Sequence, residues 1–144
     1  MIQAVGIGMI EIARLQRVLD TRPSFLSRWF SDEEMEKAGR RARAAEDLSG
    51  RYACKLAVRS CLRTRLDSQT RLIDIATAND SLGKPTVMLS APLADRAAKG
   101  FGGIFSIEVS ITHSRESAAA IAILTLREGP DQPDRNTGGA NDSR

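Results

Sequence analysis

Apolar and polar positions alternate most strictly over residues 105–112. There Phe105, Ile107, Val109 and Ile111 interleave with Ser106, Glu108, Ser110 and Thr112. A period of two sends the two sets to opposite faces, which predicts a half-buried strand. The polar break His113-Ser114-Arg115-Glu116-Ser117 separates it from residues 118–126, a nearly continuous apolar run of strand length, and the two should pair as a hairpin. Residues 71–77 and 86–89 predict a second hairpin. The Asn, Asp, Gly and Pro between Asn79 and Pro85 favour the turn that joins it. Residues 2–10, apolar and containing Gly6 and Gly8, read as an opening strand.

Helical spacing appears elsewhere. Ile12, Leu15, Val18 and Leu19 predict a first helix over residues 11–19. Ser31 followed three residues later by Glu34 has the pattern of a capping box and predicts an acidic helix start. The longest helix is predicted over residues 44–62, with Cys54, Ala57, Val58, Cys61 and Leu62 on one stripe. Leu48, Tyr52 and Leu56 project to the other side, so burial on two faces is expected. Ser90 can cap a short helix that ends before Gly100. Helices interleaved with antiparallel strand pairs predict an α+β domain over residues 1–127, followed by a disordered Gly/Pro-rich tail over 128–144.

Composition narrows the function classes. With 21 basic and 18 acidic residues the formal charge is +3, and no basic run resembles a nucleic-acid arm. The densest cluster, Arg40, Arg41 and Arg43, reads as a solvated helix end more readily than as a docking patch. Cys54 and Cys61 are seven apart, wrong for a CxxC metal or redox site, and are expected in the core. No apolar run reaches transmembrane length, and a cytoplasmic protein is expected.

Four stretches carry a family pattern: Val5-Gly6-Ile7 through Glu11-Ile12-Ala13-Arg14-Leu15, Gly50-Arg51-Tyr52-Ala53-Cys54-Lys55, Gly83-Lys84-Pro85, and Val109-Ser110-Ile111-Thr112-His113-Ser114. In order and spacing they resemble the holo-acyl-carrier-protein-synthase branch of the phosphopantetheinyl transferases. The resemblance implies the phosphopantetheinyl transferase fold, with antiparallel strand pairs packed on a long helix. It also implies transfer of 4′-phosphopantetheine from coenzyme A to a serine of an acyl carrier protein, magnesium on the pyrophosphate, and a homotrimer with active sites between chains.

By the same resemblance Arg51, Lys55, Lys84, Pro85, Thr112 and His113 stand at coenzyme-binding positions. Lys55, His113 and Glu11 are candidate catalytic groups, and Arg14 is a candidate contact to the acidic carrier. The metal ligands are different. Gly8 stands where the family has an aspartate and Leu56 where it has a glutamate, while Arg63-Thr64-Arg65-Leu66 replaces a glycine-rich stretch. Hard oxygen ligands are gone from both positions, so no metal ligands are assigned and coordination by the family route is not expected. Restoring both carboxylates, Gly8→Asp with Leu56→Glu, is expected to bring back magnesium-dependent transfer.

Three readings follow. The first is a transferase that places Arg51, Lys55 and His113 on the phosphates. The second is a relative repurposed to bind or modify an acyl group tethered to a carrier protein. The third is a non-catalytic subunit, for which Leu48, Tyr52 and Leu56 would suit a contact between chains.

Overall fold

The computed structural model describes residues 1–39, 43–67 and 69–127. Arg40 and Arg41 of the arginine cluster and the 128–144 tail lie outside the described residues. The elements are β1 (Ile2–Glu11), α1 (Ile12–Thr21), α2 (Asp32–Gly39), α3 (Ala44–Leu62), β2 (Ile75–Asn79), β3 (Pro85–Leu89), α4 (Ala91–Phe101), β4 (Phe105–His113) and β5 (Ser117–Leu126). Short 3-10 turns occupy Pro23–Arg28 and Leu72–Asp74. The predicted strand at 71–77 therefore begins only at Ile75, because Leu72 is taken into a turn that buries it.

Both predicted hairpins form, β2 with β3 and β4 with β5. β1 adds to β5, giving an antiparallel sheet in the order β1-β5-β4. Its inner face is built of small residues: Ala4, Gly6 and Gly8 on β1, and Ala118, Ala120 and Ala122 on β5. Small side chains let α3 lie close, and Cys54, Ala57, Val58, Cys61 and Leu62 of its predicted stripe are fully buried there, together with Ala53. Burial pushes the Cys54 thiol up to about 12 and the Cys61 thiol to about 11, so both cysteines pack as apolar groups.

On its opposite side α3 meets a second cluster of Leu15, Leu26, Phe30, Ala38 and Leu48. Burial on two faces is therefore real, and it corrects one expectation. Leu48 is fully buried within the chain and is unavailable for a contact between chains. Tyr52 is half-buried, with its ring 5.0 Å from that of Trp29. The exposed apolar surface is instead the outer face of the sheet, where Val5, Ile7 and Met9 of β1 lie beside Ile121 of β5.

α4 runs past the predicted stop at Gly100 and ends at Phe101. Gly102, with φ +80°, adopts the left-handed conformation that terminates it. Gly100 serves packing: a Cβ there would lie 2.9 Å from Leu66 Cδ2.

Candidate functional site

α3 separates two concavities. On one side, the first two turns of α3, the end of β4 and the β2–β3 hairpin enclose an open cleft of about 610 Å³. Arg51, Pro85 and His113 line it, as do Arg43, expected only as part of a solvated helix end, and Glu46 and Asp47, which no sequence motif marked. Asp47 had a legible signal, since it stands four residues before Arg51, the spacing of facing helical positions. Arg51 Nε donates to Asp47 Oδ2 at 3.0 Å. Its Nη1 donates to the Thr77 carbonyl oxygen at 2.9 Å and to Thr77 Oγ1 at 3.0 Å. The guanidinium is thus clamped by three acceptors, while Nη2 makes no hydrogen bond among the described residues.

The hairpin loop is organised by Asp80, whose Oδ1 accepts from the N–H groups of Leu82 and Lys84, each at 2.9 Å. Gly83 and Pro85 line the cleft, but Lys84 reaches sideways to Glu108 Oε2 at 2.8 Å, and that carboxylate raises the ammonium above its ordinary value. His113 closes β4 with Nδ1 2.9 Å from Glu46 Oε1. Thr112 does not join the lining. Alternation along β4 sends Ile111 and His113 to the cleft and Thr112 to the outer face of the sheet, as its place in the polar set of the sequence already required.

Lys55 does not line the cleft. Its side chain is fully buried, and Nζ donates to the Trp29 carbonyl oxygen at 2.6 Å, Glu34 Oε1 at 2.7 Å and the Leu72 carbonyl oxygen at 3.4 Å. Glu34 completes the network. Its other oxygen accepts from the Thr77 N–H at 3.2 Å and from the Thr77 hydroxyl, and Ser31 N–H donates to Oε1 at 3.0 Å. Burial pushes the Glu34 carboxyl up, but the hydrogen bonds from Lys55, Thr77 and Ser31 outweigh it and hold the group below its ordinary value. Burial takes Lys55 below its own ordinary value. Three oxygens around Nζ nevertheless favour the ammonium, and the pair is read as charged. Thr77 hands its hydroxyl hydrogen to Glu34 and accepts from Arg51, so this buried network supports the cleft from behind.

On the other side of α3 lies a groove of about 450 Å³ lined by Met9, Trp29, Tyr52 and Leu56, with Glu11 and Arg14 as its charged members. Glu11 is the exposed residue at which β1 passes into α1, and its side chain does not cap the helix. Arg14 is exposed on α1. Structure thus brings Arg51, Pro85 and His113 together in the cleft, with Lys84 at its margin. It groups Glu11 with Arg14 in the groove and leaves Lys55 and Thr112 outside both.

The architecture is that of a small α+β protein with a long helix laid on an antiparallel sheet, a charge-lined cleft on one side and an apolar groove on the other. No protein-family model matches the chain. Individual relatives do. The holo-acyl-carrier-protein synthase of a type E Clostridium botulinum strain is 35% identical over 127 residues, 88% of this chain and 99% of that protein. That of Treponema denticola is 39% identical over 125 residues, 86% of this chain and 98% of that protein. Among solved structures, the holo-acyl-carrier-protein synthase of Bacillus anthracis in complex with CoA (3′,5′-ADP) gives a TM-score of 0.70 at 29% identity, covering 88% of this chain and 99% of that one. A CoA complex from Chronobacterium ammoniagenes gives 0.75 at 22% identity, covering 87% and 98%, and speaks to the fold. This chain belongs to the holo-acyl-carrier-protein synthase family.

The magnesium that the family implies does not fit the residues present. A Cβ placed on Gly8 would lie 2.1 Å from the Ala53 carbonyl oxygen, 2.8 Å from Leu56 Cβ and 2.9 Å from the Ala57 nitrogen. β1 and α3 have closed over the space an aspartate would need, and Leu56 contributes hydrocarbon to the adjoining groove. Among the described residues no group of three or more His, Cys, Asp or Glu side chains could hold a metal.

Proposed function

We propose that this protein binds coenzyme A in the cleft and an acyl carrier protein along α1, and that it moves 4′-phosphopantetheine from the first to a serine of the second. The observation that carries the reading is the clamped guanidinium of Arg51, its Nη2 unbonded among the described residues, lining with His113 a cleft bordered by the Gly83-Lys84-Pro85 loop. Arg51 is the group offered to the phosphates, with Lys84 at the margin, and His113 is the group beside them that can act as a base. In the transfer the serine oxygen bonds to the phosphorus that bears pantetheine, the bond from that phosphorus to the 3′,5′-ADP oxygen breaks, and the serine proton passes to a base. Negative charge is met by Arg51, and by His113 once it carries the serine proton, instead of a cation held between β1 and α3. Arg14, exposed on α1, supplies charge complementary to an acidic carrier.

The outer face of the sheet supports self-association. Ile7 is 70% exposed, Met9 65% and Val5 50%, and they lie together beside Ile121. An apolar face of this kind suits a second copy of the chain, and a homotrimer is the assembly in keeping with the family resemblance. Among the described residues no helix is long and apolar enough to cross a membrane. The cytoplasm, where coenzyme A and carrier proteins meet, is the location this reading favours.

The test is the mass of an apo-carrier protein incubated with this chain and coenzyme A, in magnesium and in chelator. A gain of one phosphopantetheine in both supports the reading. The closed β1–α3 contact favours a second one, recognition of coenzyme and carrier without transfer. Calorimetric binding of coenzyme A with no gain of mass selects that second reading, and absence of binding overturns both.

A further inference from the structure

His113 is the chain's only histidine, and the ring is half exposed at the mouth of the cleft. Its Nδ1 lies 2.9 Å from Glu46 Oε1, while the other Glu46 oxygen faces Arg43 Nη1 at 3.5 Å. An ionised carboxylate has no hydrogen to give, so the hydrogen of this bond sits on Nδ1. In a neutral imidazole the remaining lone pair is then on Nε2. Glu46 is itself held: it lies in the first turn of α3 with its side chain 21% exposed. The ring is fastened at one nitrogen to the longest helix and at its backbone to the end of β4.

We propose that Glu46 is a positioning residue for His113, holding the Nδ1–H tautomer and the ring orientation so that Nε2 is the nitrogen presented to the cleft as a proton acceptor. The proposal rests on the reading of that cleft as the coenzyme site and gives His113 its part in it. The serine proton of the transfer passes to Nε2 as the serine oxygen bonds to phosphorus and the 3′,5′-ADP oxygen leaves with its bonding electrons. A histidine protonated at Nε2 would have its lone pair turned to Glu46 and nothing to accept with on the cleft side.

A sole histidine makes the test direct. Long-range nitrogen–proton correlations on 15N-labelled protein, at a pH where the ring is neutral, report which nitrogen carries the hydrogen. The parent should show Nδ1–H in roughly tenfold excess or more, the scale set by a hydrogen bond to a charged acceptor. Glu46→Ala should lose that excess. Glu46→Gln, whose amide oxygen can still accept, should keep most of it, an outcome that a purely structural role for the carboxylate does not predict. An Nε2–H majority in the parent, or an unchanged ratio in folded Glu46→Ala, overturns the proposal. Saturating coenzyme A is then added to the parent. Perturbed His113 signals support the role, whereas unperturbed ones beside a confirmed Nδ1–H ratio overturn the coenzyme reading and leave the Glu46–His113 pair established as geometry alone.

Discussion

Replacing Gly8 by alanine should destabilise the fold sharply, although alanine is the smallest side chain that can be added. The new Cβ would stand 2.1 Å from the Ala53 carbonyl oxygen, and ordinary contact begins at 3.4 Å, so β1 and α3 must part by roughly 1.3 Å. The contact is with backbone, and no rotamer relieves it. Parting the two elements also loosens the layer of Ala53, Ala57 and Cys61, all fully buried. Overpacking of this kind costs about 3 kcal/mol. For a fold of this size that corresponds to a fall of about 12 °C in midpoint, measured by circular dichroism under reversible conditions. The same geometry revises the expected rescue. Gly8→Asp brings the same Cβ and adds a carboxylate against the Ala53 carbonyl oxygen, so Gly8→Asp with Leu56→Glu should not gain a tight magnesium site in calorimetry. A Gly8→Ala midpoint within about 2 °C of the parent would refute the reasoning, for the gap between β1 and α3 would then be open.

Acid stability should report Glu34. Its folded-state value lies below the unfolded 4.5, so the folded chain binds fewer protons there; the contribution is present above pH 4.5 and is lost as pH falls through the folded value. Glu34→Gln should flatten that part of the stability curve, and an unchanged slope would count against it. Lys55→Met should lower stability by about 3–5 kcal/mol by stranding Glu34, yet leave coenzyme A affinity in the folded fraction near that of the parent; selective loss of coenzyme binding would return Lys55 to the phosphates. Ile7→Glu should shift sedimentation toward the monomer without changing the circular dichroism spectrum, and an unchanged sedimentation coefficient would remove the sheet face as the interface. Arg14→Glu should slow association with an acidic carrier protein at low salt, and equal on-rates would make Arg14 an ordinary surface arginine.

What could be read from the sequence was what repeats along it. Strict alternation gave β4 and placed Thr112 on its polar face, while helical spacing gave α3 with both of its apolar sides. The capping box is present, with Ser31 Oγ accepting from the Glu34 N–H at 3.2 Å and Glu34 Oε1 from the Ser31 N–H at 3.0 Å. Yet Glu34 also holds Lys55, 21 positions away, and Thr77, 43 away. No local pattern carries contacts of that range, and the place of Lys55 among the phosphate-binding groups was expected from the family resemblance alone. The same limit hid the pairing of Glu46 with His113 and the place of β1 beside β5. Family likeness supplied Arg51, Pro85 and His113 as neighbours, and the cleft does bring them together.

The two altered metal positions are physically one change. Two carboxylates brought together without a cation repel, and either one alone beside α3 would be a desolvated charge without a partner. Gly8 removes the first and lets the strand settle on the helix; Leu56 replaces the second with a hydrocarbon side chain that lines the groove with Met9, Trp29 and Tyr52. Each substitution makes the other less costly, because a glutamate at position 56 would now face an apolar groove and an aspartate at position 8 would strike the Ala53 carbonyl. The cleft on the far side of α3 does not depend on this exchange, since Arg51 is held by Asp47 and Thr77 and His113 by Glu46. Coenzyme affinity should therefore be the same in magnesium and in chelator. A calorimetric titration in which chelator weakens binding tenfold or more would show that a cation still bridges the pyrophosphate by a route other than Gly8 and Leu56.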